Sequence, residues 1–114
     1  MVHITPIPQF PISTLEIEYN LLNIPHVQVV LEDHGDEVEI VFLGAESPGK
    51  GQGTLAMTAL TRLADALSTN LILFVAGTPN SCVHTQLVTF YKRFGFYETE
   101  EEQVMKRPFQ VALC

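Results

Sequence analysis

A chain of 114 residues makes one domain, long enough to bury a core and too short for two. Hydrophobic residues at 46% and charged residues at 17% exclude extensive disorder. With 6 Lys plus Arg against 13 Asp plus Glu the net charge is −7, the wrong sign for a nucleic-acid footprint. No apolar run nears the ~20 residues that a membrane-spanning helix needs.

Residues 1–25 contain Pro6, Pro8 and Pro11, which bar a regular helix and predict an irregular or edge-strand entry. The segment has no basic n-region, so a signal peptide is not expected. Cys82 and Cys114 read as free thiols, and a soluble cytoplasmic protein is the expectation. Ile4, Ile7, Phe10 and Ile12 would pack on their own sheet or cover a second subunit, which leaves a homodimer open.

From His26 the pattern sharpens. HVQVVLED and EVEIVFLGA are two β-rich runs around His34-Gly35-Asp36, the pattern of an antiparallel hairpin. Val38, Ile40 and Phe42 alternate with Glu37, Glu39 and Val41, the period of a half-buried strand. Residues 53–68 place Ala56, Leu60, Leu63, Ala64 and Leu67 on one helix face, and Ser68-Thr69-Asn70 stops that helix. LILFVA (71–76) is a continuous apolar run, expected of a central strand covered on both faces. HTQLVTFYKRF (84–94) forms a second helix with Gly95 as its C-cap. A last strand is expected over about residues 96–106, with Glu98, Glu100, Glu101 and Glu102 along a solvated edge. The order β–β–turn–α–β–α–β predicts an α/β fold, a mixed sheet with two main helices packed on it.

The most informative stretch is Glu39 to Thr54, EIVFLGAESPGKGQGT. Gly49, Gly51 and Gly53 stand at alternate positions between an apolar strand and a helix start. That order seats a phosphate: glycine lets the backbone come close, and unpaired N–H groups at the helix start point at the anion. The bland alternative is a tight strand-to-helix turn without a ligand, although three glycines cost chain entropy that a plain turn does not require.

Three phosphate ligands compete for this turn. Gly44 to Lys50 fits GxxxxGK, but Gly51 replaces the Ser or Thr that would hold Mg²⁺. Gly51-x-Gly53-x-x-Ala56 fits a dinucleotide fingerprint, but Ala76 and Gly77 stand where an acidic ribose ligand belongs. The third is acyl-CoA. GKGQGTLAMTALTRLADAL, then LILFVAG, then TFYKRFGFYE resembles the GNAT superfamily of N-acetyltransferases across residues 37–106. The glycine half of its pyrophosphate loop, (Q/R)xxGx(G/A), and all of its Y-x-x-x-G-F-like signature occur here in the right order. Pro48 replaces the usual Arg or Gln, and His84 stands where many members have Asn.

The resemblance implies acetyl-CoA as co-substrate, no metal, and direct acetyl transfer to an amine. Phe42, Leu43 and Ala45 would lie along the pantetheine arm, with the Leu43 N–H toward the thioester oxygen. Gly49, Lys50, Gly51, Gln52, Gly53 and Thr54 would cradle the pyrophosphate, with Asn80 and His84 nearby. Tyr91, four residues before Gly95, is the candidate general acid; its other reading is a core aromatic beside Phe90 and Phe94. Glu39 is the candidate general base, or else a solvated strand residue. The acidic balance favours a cationic acceptor. The rival expectation is a catalytically inactive module of the same fold acting through protein–protein contacts.

Overall fold

The computed structural model describes residues 14–46, 51–79 and 81–111. In chain order the elements are α1 (Thr14–Leu21), β1 (Val27–Asp33), β2 (Glu37–Ala45), α2 (Gln52–Ala66), β3 (Asn70–Phe74), α3 (Cys82–Lys92), β4 (Tyr97–Glu98) and β5 (Val104–Arg107). The strands form one mixed sheet in the order β1-β2-β3-β5-β4, with β2 and β3 parallel and the other neighbours antiparallel. The α/β class expected from the sequence is the class observed.

Strand alternation decides where the core sits. Val38 and Ile40 of β2, Leu71 and Leu73 of β3 and Met105 of β5 turn to one face of the sheet. There they meet Met57, Leu60 and Ala64 of α2, Leu15 and Tyr19 of α1 and Val88 of α3 in one apolar cluster. Burying each large side chain stabilises the fold by about 1.5–3 kcal/mol. All three helices share that face. Among the described residues, the opposite face leaves Val41, Phe42 and Phe74 about half exposed.

Several expectations need correction. Residues 14–21 are helical, not irregular, because Pro6, Pro8 and Pro11 precede them and Pro25 follows them; residues 1–13 lie outside the described residues. The apolar run at 71–76 is covered on one face only, with Phe74 60% exposed. The expected last strand is two short strands, and the acidic run mostly forms the turn between them. Thr99 builds that turn: its hydroxyl accepts from the Glu101 amide at 3.1 Å and donates to the Val104 carbonyl at 3.0 Å. Phe42 leaves the face of Val38 and Ile40, since Leu31 opposes Ile40 and Val30 opposes Phe42. Val41 is the extra residue of a β-bulge, and one extra residue turns all that follows to the other face.

One ionic contact ties α2, α3 and β5 together. Arg107, only 4% exposed, forks onto Asp65 through two bonds of 2.7 and 3.0 Å and donates through Nε to the Phe94 carbonyl. Asp65 also accepts from the Gln110 amide at 2.8 Å. Gly95, at φ +96°, makes this possible: any Cβ there would press on the Gln110 and Arg107 side chains. The Arg107 hydrogen bonds hold the Asp65 carboxyl below its usual range, against desolvation.

Asp65→Ala should therefore destabilise the fold by about 3 kcal/mol in urea titration, because it strands a buried guanidinium. The folded-state pKa of Asp65 is depressed, so the pair's contribution is present above the unfolded value and is lost as pH falls through the folded one. Acid unfolding of the variant should lack that component.

Candidate functional site

The sheet parts in its middle. β2 and β3 are in register for only four pairs, from Glu37 opposite Asn70 to Ile40 opposite Leu73. β2 then continues from Val41 to Ala45 paired with β1 alone. The Val41 bulge falls where the β2–β3 ladder ends, and bulges bend and twist the strand that carries them. β3 is drawn the other way. Beyond Phe74, the Val75 amide donates to the Gln103 carbonyl at 2.7 Å. The Gln103 side chain donates to the Val75 and Gly77 carbonyls at 3.1 and 2.7 Å. Among the described residues, the backbone of Val41–Ala45 thus has no strand partner on its β3 side, an edge of the kind that an extended chain pairs with.

The start of α2 lies beside this gap. Gly51 occupies the N-cap at φ +80°, a conformation that glycine adopts freely and one that brings no capping side chain of its own. The first turn carries no acidic residue. Its amides and the helix dipole therefore offer positive potential that no carboxylate of the turn neutralises. A Cβ built on Gly53 would meet Phe90 at 3.8 Å and Leu43 at 3.9 Å, both ordinary contacts, so packing alone does not demand glycine there. The same contacts show that Leu43 of β2, Gly53 of α2 and Phe90 of α3 converge. Thr54 is exposed and Gln52 half-buried. Gly49, Lys50 and Asn80 lie outside the described residues.

The other expected site residues divide between the two faces. Phe42 folds its ring over Gly44 on the helix-free face, where a Cβ on Gly44 would lie 2.6 Å from the ring. The backbone of Ala45 pairs with Val27. Tyr91 is half-buried, edge-on to Phe90 at 5.4 Å and to Phe96 at 5.9 Å. Burial pushes its phenol above the usual tyrosine value, so it is protonated at neutral pH. His84 lies in the first turn of α3, its amide donating to the Ser81 hydroxyl at 3.1 Å, and it lines a cavity between α3 and the β4–β5 hairpin. It is not gathered with Leu43 and Gly53.

Glu39 sits on the helix-free face, one residue before the last β2–β3 pair, with its side chain 20% exposed. It is hydrogen-bonded to His34 Nε2 at 2.9 Å, and Glu32, directly across the ladder, lies 3.3 Å from the same nitrogen. Sequence reading missed this trio. A hairpin turning at residues 34–36 does place residue 32 opposite residue 39, so the register held the signal. One donor atom from each residue lies within 4.8 Å of the others, close enough to chelate a divalent cation. A protonated imidazole neutralises the same two carboxylates. The bond to Glu39, with Glu32 and Glu37 adding charge, raises His34 above the usual imidazole value despite desolvation.

No family model and no curated protein matches the chain. Its fold does match a solved structure, the crystal structure of the anti-CRISPR protein AcrVA5, with a TM-score of 0.58. The match covers 71% of this chain and 88% of that one at 17% sequence identity. At that identity the likeness speaks for the fold alone. Among the described residues, no helix is long and apolar enough to cross a membrane.

The raised His34 pKa has a definite sign. Its contribution to stability is complete below the unfolded value near ~6.5 and is lost as pH rises through the higher folded value. The melting temperature should fall between mildly acidic and mildly alkaline pH, and His34→Gln should flatten that fall in a pH series of thermal melts.

Proposed function

We propose that this protein is an acetyl-CoA-dependent N-acetyltransferase of the GNAT type, moving an acetyl group to an amine by direct transfer. The observation that carries the reading is the parting of β2 and β3 beside the glycine-entered start of α2. An acyl-CoA needs a strand-like partner for its amide-bearing arm and a helix start for its pyrophosphate, and these residues fit both needs.

When bound, acetyl-CoA supplies the acyl group already activated as a thioester. The chain's own part is positioning and proton handling. The free edge of Val41–Ala45 pairs with the pantetheine amides, and the Leu43 amide is the assigned donor to the thioester oxygen. Gly51, Gly53 and Thr54 hold phosphate oxygens through backbone N–H groups. Tyr91, protonated through its burial, is the assigned proton source for the departing thiolate. Glu39 is the assigned acceptor of the amine proton, on the other face of the sheet from Tyr91 and just before the β2–β3 ladder ends. The acidic group Glu32, Glu37 and Glu39 favours a cationic acceptor.

A second reading has its own observation. The half-exposed Val41, Phe42 and Phe74 on the helix-free face suit a module that works by binding a protein partner and catalyses nothing. Release of free thiol from acetyl-CoA with a panel of amines separates the two: a binding module releases none above background.

Titration with acetyl-CoA should raise the melting temperature, by roughly 10 °C at about 100 times the dissociation constant. ATP and NAD should leave it unchanged. Thr54→Glu should keep or slightly raise the stability of the free protein, because a first-turn carboxylate suits the helix dipole, yet weaken acetyl-CoA binding at least ~10-fold. Undiminished binding in that variant would remove the α2 start from the site. Tyr91→Phe should lower turnover and leave acetyl-CoA affinity nearly intact; equal activity would remove Tyr91 from the mechanism.

A further inference from the structure

β1 forms one border of the sheet, and among the described residues only β2 pairs with it. Proteins blunt such borders with a lysine, a proline or a bulge. The strand, VQVVLED, contains no lysine and no proline, and the bulge of its ladder lies on β2 at Val41. The bonds at its two ends fix which way its backbone groups point. The His26 carbonyl accepts from the Glu46 amide at 2.9 Å, and the His34 amide donates to the Glu37 carbonyl at 2.8 Å. Even-numbered residues therefore bond toward β2, and alternation turns the N–H and C=O groups of Val27, Val29, Leu31 and Asp33 outward. The side chains of Gln28, Val30 and Glu32 are exposed on the helix-free face.

This border is complementary to itself in one antiparallel register. With Val30 opposite Val30 of a second copy, Val29 faces Leu31, Gln28 faces Glu32 and Val27 faces Asp33. Every residue of the strand is then paired, and outward N–H and C=O groups meet one another. No carboxylate lies directly opposite another, since Glu32 meets a carboxamide and Asp33 a valine. A slip by one residue would mix the two faces, and a longer slip leaves fewer pairs. Helix α1 lies along the same border: Thr14 and Leu15 line a hollow with Asp33, and Tyr19 and Asn20 line one with Val27, Gln28 and Val29. Ile17 and Leu21 of that helix, and Leu22 after it, are exposed.

We propose that β1 is the interface of a two-fold homodimer, in which the sheets of two copies join through antiparallel β1 strands about an axis at Val30. That axis stands perpendicular to the sheet, so both α1 helices flank the joint on one side. The parting of β2 and β3 lies on the other side of β2 and stays accessible, so the dimer stands whether or not that site takes acetyl-CoA. A net charge of −7 on each copy opposes association at long range, and salt screens it.

Sedimentation equilibrium of the full chain over a concentration series should show monomer and dimer, with the dimer tightening as salt is raised. Val30→Lys should weaken it at least ~4-fold, the repulsion of two like charges about 5 Å apart in water. The added lysine makes the net charge of −7 less negative, so the weakening could not come from general repulsion. Val30 is exposed, and an unchanged circular dichroism spectrum will certify the fold. In a Cys82→Ala/Cys114→Ala background, Val30→Cys should form a disulfide-linked dimer under mild oxidation. Glu32→Cys should not, because the two copies of that position lie more than ~10 Å apart in this register. A chain that stays monomeric, Val30→Lys without effect, or equal crosslinking at the two positions would overturn the proposal. A monomer whose Val29 and Leu31 amides resist hydrogen exchange would overturn it too, by showing that residues 1–13 of the same chain cover the border.

Discussion

β2 and β3 run side by side for four residue pairs and then take different partners, and the rest of the architecture is arranged around that divergence. β2 stays with β1 through the Val41 bulge, while β3 is drawn by Gln103 toward the hairpin of β4 and β5. Backbone N–H and C=O groups are obligatory hydrogen-bonding groups, and an edge opened within a sheet must be solvated or paired with something else. A protein gains nothing in stability from such an opening. Its presence beside a glycine-entered helix start is the physical basis for reading a ligand there.

Charge is handled differently on the two faces of the sheet. On the helix side, Arg107 is almost wholly buried and fully engaged by Asp65 and the Phe94 carbonyl, an arrangement that locks α2 to the end of α3. On the open side, Glu32 and Glu39 face each other across the ladder, where like charges repel, and His34 lies between them. The first contact is permanent over physiological pH; the second changes with the protonation of one imidazole. Glu39, the candidate base, belongs to the second kind, so its environment depends on the state of His34.

The sequence disclosed the elements better than their faces. The hairpin of β1 and β2, the two main helices and the apolar β3 were legible because turn residues and hydrophobic period agree there. The α1 helix was hidden by the prolines before it, whose influence ends at Pro11. Phe42 was misplaced because a bulge leaves no mark in the residue pattern: Val41 is an ordinary strand residue, and only the pairing of Ile40 and Phe42 with Leu31 and Val30 reveals the extra one. The glycine turn marked α2's start. The gap beside it came from divergent hydrogen bonding, including a left-handed Gln103 that no composition rule singles out. His34 and Glu32 were recoverable from hairpin register, while the Arg107–Asp65 fork joins residues too far apart in sequence for local patterns to connect.

The eight-residue α1 helix is anchored in the core through Leu15 and Tyr19, while Ile17, Leu21 and Leu22 face outward. So short a helix has scant stability of its own, and it contributes no strand to the sheet. Leu15 and Tyr19 carry it into the core beside α2, so its detachment would open that flank of the core.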